Sequence, residues 1–341
     1  MIALVAETLD ARARQVAARK WEAMLPPAHG EALRHRYRLR SLYVDLTEQA
    51  ETLSVAQATS ALASVRVPNY YNKVLSGAVE YRSSLDLTEE FVASLRALVE
   101  FAFTLLGQLN DADTSELSIR DALYRRVYEA MPAHFCPFCG IDRFDAPHPD
   151  MPRHSLDHYL PISLYPMFGI HLPNLVPMCE RCNSRFKGSA DILTAEGGGV
   201  RRCVDPYGGR TAKISLMQSS PFGAEEDDQL PVWVIQFDPD DEVFETWDEV
   251  FDIRLRYRES LLKPEYKPWL EDFGNWVRDS QLNVADNQAA SDALRRWATL
   301  CDPLRDLGFV KRPMFEMLSA AACREDKVGG RLTRLVQLVS A

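Results

Sequence analysis

The sequence lacks the long apolar run that a membrane-spanning helix requires, since nowhere do about 18 apolar residues follow one another. A secretory leader is not expected, because the apolar start of MIALVAETLDARAR is short and no basic residues precede it. An excess of basic charge is missing too. Lys and Arg number 39 against 49 Asp and Glu, for a net charge of −10. A grip on nucleic acid by overall electrostatics is thereby excluded, and any phosphate contact must be local or supplied by a partner. Cysteine is scarce and odd in number, seven in 341 residues, which argues against a full disulfide framework. No internal repeat and no low-complexity tract occurs. These absences point to a globular cytoplasmic chain without a membrane partner, long enough for roughly two domains.

What is present begins with helix. The stretch 86–109 is apolar-rich with acidic residues in its opening turn, as a helix start prefers. In 113–131, Ile119, Leu123, Val127 and Met131 recur four apart on one helical face. Pro26-Pro27 and His29-Gly30 separate an earlier helical stretch from the next. A basic series spans that break: Arg12, Arg14, Arg19 and Lys20, then Arg34, Arg36, Arg38 and Arg40. It reads first as a solvated helix face, with phosphate contact as the rival. Helical periodicity stops at about 132 and returns at about 241. Between lie a turn at 204–209 (VDPYGG), a polar loop at 220–229 and a strand within 231–240. The expected organisation is a helical region 1–131, a central core 132–216, and a mainly helical region 217–341 with one or more strands.

The central island carries the chemistry. Cys136, Cys139, Cys179 and Cys182 form two C-x-x-C pairs, enough thiolates to close a tetrahedral Zn²⁺ site. With no open coordination position, that zinc is structural. It suits a segment too short and polar to hold itself together by burial. Cys203, Cys301 and Cys323 read as small buried hydrophobes. The loop between the pairs adds Asp157-His158 in a strand-like run ending at Pro161, Asn174-Leu175 opening the next run, and Asn183 behind the last cysteine.

The order C-x-x-C, D-H-x-x-P, N-L, C-x-x-C-N, with Lys187-Gly188 soon after, resembles the HNH nuclease family and its ββα-metal fold. The resemblance covers residues 136 to 188. It implies an α+β chain, predominantly helical, with a central zinc-stabilised ββα-metal core. It further implies that Asp157 and the side-chain oxygen of Asn183 hold one catalytic Mg²⁺ or Mn²⁺, hard donors for a hard cation. His158 is then the general base, and Asn174 bonds across the hairpin to hold it. The tail CNSRFKG has one residue more than the family's frequent CNSKKG. Both Arg185 and Lys187 are candidates to face a phosphate, and which of them does so stays open. A regular strand also sends adjacent side chains to opposite faces, so Asp157 and His158 converge only across a bend or bulge.

The function implied is a metal-dependent endonuclease hydrolysing phosphodiester bonds, with DNA expected ahead of RNA as the nucleic acid. The alternative keeps the zinc and drops the catalysis, leaving a nucleic-acid-binding module. A third reading makes the island a hub for protein contacts. The overall look resembles HNH subunits of bacterial antiphage systems such as Septu, which implies an ATPase partner subunit. The acidic balance adds the option that the flanking helices form a homo-oligomer.

Overall fold

The computed structural model describes all residues except 68, 82–86, 115, 149, 152–153 and 224–229, and all side chains of these described residues except that at 170. The chain divides into two compact units, Met1–Gly209 and Arg210–Ala341. Helix predominates, with two small antiparallel sheets, so the chain is α+β and mostly helical.

In the first unit, α1 (Ile2–Ala13) packs on α4 (Val55–Arg66), and α3 (Tyr37–Gln49) on α6 (Glu89–Leu106). Leu4, Val5, Leu9, Leu39, Leu46, Leu95, Leu98 and Val99 form the shared core. Local signals fix where these helices start. Ser54 and Gln57 make a reciprocal capping box on α4. The Thr88 hydroxyl accepts from Phe91 N at the head of α6, where Glu89 and Glu90 favour the helix dipole. The observed helix is shorter at both ends than the stretch 86–109, whose first residue lies outside the described ones. The unit also holds two short helices, α2 (Gly30–Arg34) and α5 (Tyr70–Leu75), and the 12-residue α7 (Ile119–Ala130). On α7 the expected face of Ile119, Leu123 and Val127 is half-buried, and the deeply buried side chains are Ala122 and Tyr124. Tyr124 turns inward because its hydroxyl donates to the Asp145 carbonyl at 3.0 Å.

The cysteine-bearing segment belongs to this unit. Strands β1 (Ser155–His158) and β2 (Leu175–Met178) pair antiparallel with His158 opposite Leu175, and a helix at Arg181–Lys187 follows. That helix is wound as a π-helix, closed by Gly188 N donating to Asn183 O at 2.8 Å. A turn closed five residues apart holds one residue more than an α-turn.

In the second unit, β3 (Lys213–Ser215) pairs with β4 (Gln236–Asp238) ahead of a helical bundle. The strand expected within 231–240 is shorter than its pattern, because Val232 makes only an isolated bridge to Ser220. The bundle comprises α8 (Glu242–Phe251), α9 (Ile253–Arg256), a π-helical turn Tyr257–Leu262, α10 (Lys263–Asp279), α11 (Asn287–Leu300), α12 (Gly308–Ala322) and α13 (Lys327–Ser340). Asp241, Asp286 and Asp326 cap α8, α11 and α13, and Phe273, Trp276, Trp297 and Phe315 interlock at the centre. Residues 224–229 of the loop expected at 220–229 lie outside the described residues. No helix among the described residues is long and apolar enough to cross a membrane.

Candidate metal centre and hairpin site

The four thiols of Cys136, Cys139, Cys179 and Cys182 lie within 4.8 Å of one another, all buried and none in a disulfide. Cys139 Sγ and Cys179 Sγ are 3.9 Å apart. Metal–sulfur bonds of about 2.3 Å in a tetrahedron place sulfurs roughly 3.8 Å apart, so the cluster fits a structural zinc. Each knuckle is built locally. Gly140, at φ +66°, closes the first turn by donating to the Cys136 carbonyl at 2.8 Å, a backbone shape that favours glycine. Backbone amides of Ile141, Cys179 and Cys182 point at sulfurs of Cys139, Cys136 and Cys179 at 3.4–3.5 Å. Burial raises the Cys136 thiol, while hydrogen bonds from neighbouring sulfurs lower Cys139. Four crowded thiols resist ionising together without a divalent cation among them.

The second knuckle joins β2 to the π-helix, and so positions the hairpin. His158, the last residue of β1, is 3% exposed and its ring lies 4.9 Å from that of Phe103 on α6. Its Nε2 is 3.1 Å from the Gly169 carbonyl. A carbonyl only accepts, so Nε2 carries the proton and Nδ1 keeps the lone pair. Burial lowers the His158 pKa below its ordinary 6.5, with the Gly169 bond and Asp157 opposing that shift. The imidazole is therefore neutral at neutral pH.

Asn174 is fully buried and makes three bonds. Its Oδ1 accepts from Leu160 N at 2.7 Å, and its Nδ2 donates to the carbonyls of Leu160 and Phe168 at 3.0 and 3.2 Å. Among the described residues its side chain makes no hydrogen bond to the His158 ring. It fixes the chain two residues beyond His158 and the residue before Gly169, which holds the ring and its acceptor in one frame. Tyr207, in the turn at 204–209, donates from its hydroxyl to the Leu175 carbonyl at 2.6 Å and braces β2.

Asp157 and Lys187 meet on the other side of the hairpin. Lys187 Nζ lies 3.4 Å from Asp157 Oδ2 and donates to the His158 and Gly188 carbonyls at 2.9 and 3.1 Å. At 2% exposed, Lys187 presents its ammonium inward, and burial lowers its pKa against the pull of Asp157. Lys187 lies four residues after Asn183, within one turn of the π-helix. Asn183 is half-buried, and its side-chain amide makes no hydrogen bond among the described residues. Arg185 is exposed. The pairing of β1 with β2 is one-to-one, without a bulge. Asp157 therefore faces Lys187, while His158 faces Phe103 and Gly169.

The other histidines are packed or surface groups. His134 stacks on Tyr128 with ring centroids 3.9 Å apart, and His154 packs on Phe144 at 4.7 Å. Two partners of the site carried no motif in the sequence, Phe103 and the Gly169 carbonyl, and the motif around Lys187 did not show that its ammonium turns inward. Gly169 has a steric signature visible only in three dimensions, since a Cβ there would sit 2.4 Å from Val99 Cγ1.

No family model matches the chain, and no solved structure matches it. It is 36% identical over 73 residues to Protein ea31 of Escherichia phage lambda. That match spans 21% of this chain and 20% of the phage protein, so it covers about a fifth of either.

Proposed function

We propose that the chain is a metal-dependent HNH endonuclease that hydrolyses phosphodiester bonds of nucleic acid, DNA ahead of RNA. The observation that carries this reading is the His158 Nε2–Gly169 carbonyl bond, which leaves a neutral imidazole with its Nδ1 lone pair free to act as base. Asp157 on β1 and Asn183 on the π-helix, a carboxylate and an amide oxygen, are suitable oxygen donors for Mg²⁺ or Mn²⁺. When bound there, the cation offsets charge on the scissile phosphate and the leaving 3′ oxygen. His158 takes the proton of the attacking water at Nδ1. Asn174 keeps ring and acceptor aligned through the backbone, as a positioning residue. Lys187 holds the Asp157 carboxylate from beneath, and the exposed Arg185 is the better placed of the two cations for a phosphate. Cleavage leaves 5′-phosphate and 3′-hydroxyl ends. The setting we propose is antiphage defence with an ATPase partner subunit, by resemblance to such systems.

A zinc-stabilised nucleic-acid-binding module without catalysis is the second reading. What favours it is that Asp157 and His158 leave opposite faces of an unbulged strand, with His158 almost fully covered. Nicking of supercoiled plasmid with Mg²⁺ or Mn²⁺, comparing the native chain with His158→Ala of equal zinc content, separates the two. Metal-dependent cutting that disappears in the variant supports the nuclease; binding without cutting in both supports the module.

A further inference from the structure

The basic series splits in two once its partners are known. Its first half is largely neutralised in place. Arg12 pairs with Glu51 at 3.5 Å and donates to the Leu53 carbonyl at 2.7 Å. Arg14 pairs with Asp10 at 3.4 Å and Arg19 with Glu7 at 2.8 Å, while Lys20 has no ion pair among the described residues. The second half, RHRYRLR at 34–40, is different. Leu39 is buried here, as is Leu33 just before, and they anchor the strip in the helical core, while Arg34, His35, Tyr37, Arg38 and Arg40 are exposed. Glu31 faces Arg34 and His35 at 3.7 and 3.9 Å, and Glu22 faces Arg40 at 3.6 Å. Such long, exposed pairs contribute little and exchange readily for other anions. Arg38 has no partner among the described residues.

Two features make this strip more than a solvated face. Tyr37 is 74% exposed and its ring meets no other ring among the described residues. Arg36, Arg38 and Arg40 also crowd the N-terminal end of α3, which has no acidic residue in its first turn and no side-chain cap. Cations at the positive end of a helix dipole are unfavourable, and an incoming anion would relieve them. The strip is also tied to the hairpin site. Arg36 Nη1 donates to Gln108 Oε1 at 3.1 Å. Gln108 lies five residues beyond the Phe103 that packs on His158, just past the end of α6.

We propose that residues 34–40 form a binding surface for single-stranded nucleic acid, with Tyr37 stacking on an unpaired base and Arg34 and Arg38 contacting flanking phosphates. The ligand class rests on the nucleic-acid reading above. It resolves how a chain of net charge −10 engages a polyanion: through one local strip of exposed cations. An exposed tyrosine offers a π-face that any unpaired base can use, whereas paired bases in a duplex interior present none.

The test is binding of fluorescein-labelled strands, about 20 nucleotides long and so longer than a single-module site, to the full-length zinc-loaded chain. No Mg²⁺ is added, so nothing is cut. Single-stranded DNA, single-stranded RNA and a blunt DNA duplex form the three arms, and the first two separate the sources of the shared chemistry. Native protein should bind a single strand more tightly than the duplex. Tyr37→Ala should weaken that binding roughly 5- to 150-fold, and Tyr37→Phe should retain it. Arg34→Ala with Arg38→Ala should lower the slope of log affinity against log salt by about 1.4. Arg14→Ala, on the neutralised half, should change nothing. The surface is refuted if native protein binds no strand, if the strip variants bind like native, or if Tyr37→Phe loses as much as Tyr37→Ala. Plasmid nicking by the same proteins is read separately. Cutting that needs His158 but ignores the strip sinks the surface alone; strip-dependent binding without cutting sinks the hydrolytic reading alone.

Discussion

At the scale of single residues, the His158 imidazole sets the pH behaviour. Burial lowers its pKa, so the folded protein favours the neutral ring. Its contribution to stability is present above the unfolded value of 6.5 and is lost as pH falls toward the folded value. If His158 is the base, the acid limb of a cleavage profile should fall below 6.5, not at or above it. A half-maximal point higher than that would remove His158 from the role. Asn174 is the residue whose loss should cost most without touching substrate. Asn174→Ala breaks three buried bonds and leaves the Leu160 backbone unsatisfied, which should destabilise by about 2–4 kcal/mol. Urea unfolding of the variant measures that.

Between elements, the hairpin is held from outside by α6 and from its own end by the cysteine knuckles. Gly169→Ala would drive a methyl to within 2.4 Å of Val99 on α6. Overpacking of that kind should cost about 1–3 kcal/mol and move the carbonyl that orients His158. A milder loss of stability together with intact histidine titration by NMR would show that the loop yields without disturbing the ring. Zinc acts on the same elements more strongly. Metal binding free energies of about 10–16 kcal/mol are typical of such sites. Removing zinc with a chelator, or replacing Cys179 with Ser, should release the ends of β2 and the π-helix, seen as loss of amide protection at 134–188. Retained protection there would mean that core packing alone supports the hairpin.

On the scale of the whole molecule, the chain separates into Met1–Gly209 and Arg210–Ala341, and only the first contains the cysteine cluster. Calorimetry of the full chain should therefore show that zinc removal lowers the transition of residues 1–209 and leaves that of 210–341 in place. A single transition shifting as one would show instead that the two units unfold cooperatively. The bundle of the second unit buries interlocked aromatic rings around Phe273 and Phe315. The helical region 1–131 and the cysteine-bearing segment, read separately along the chain, fall in one unit. The reason is local: α6 supplies Phe103 and Val99 to the back of the hairpin.

The sequence by itself determined the elements whose signals are short in range. Helix starts at Ser54, Thr88, Asp286 and Asp326 are written in capping side chains that act within a turn. The four thiols are legible because chelation by C-x-x-C depends on spacing within each pair, and the tertiary fold then brings the pairs within 4.8 Å. Whether Lys187 faced phosphate or protein was decided only by tertiary structure: its ammonium turns inward beside Asp157. The partners of His158 were equally hidden, since a ring 55 positions away and a backbone carbonyl leave no side-chain pattern of their own (158 less 103). The two halves of the basic series look alike in sequence. They differ in what the fold sets beside them: Arg19 bonds Glu7 at 2.8 Å and Arg12 bonds the Leu53 carbonyl at 2.7 Å, whereas Tyr37 and Arg38 face water.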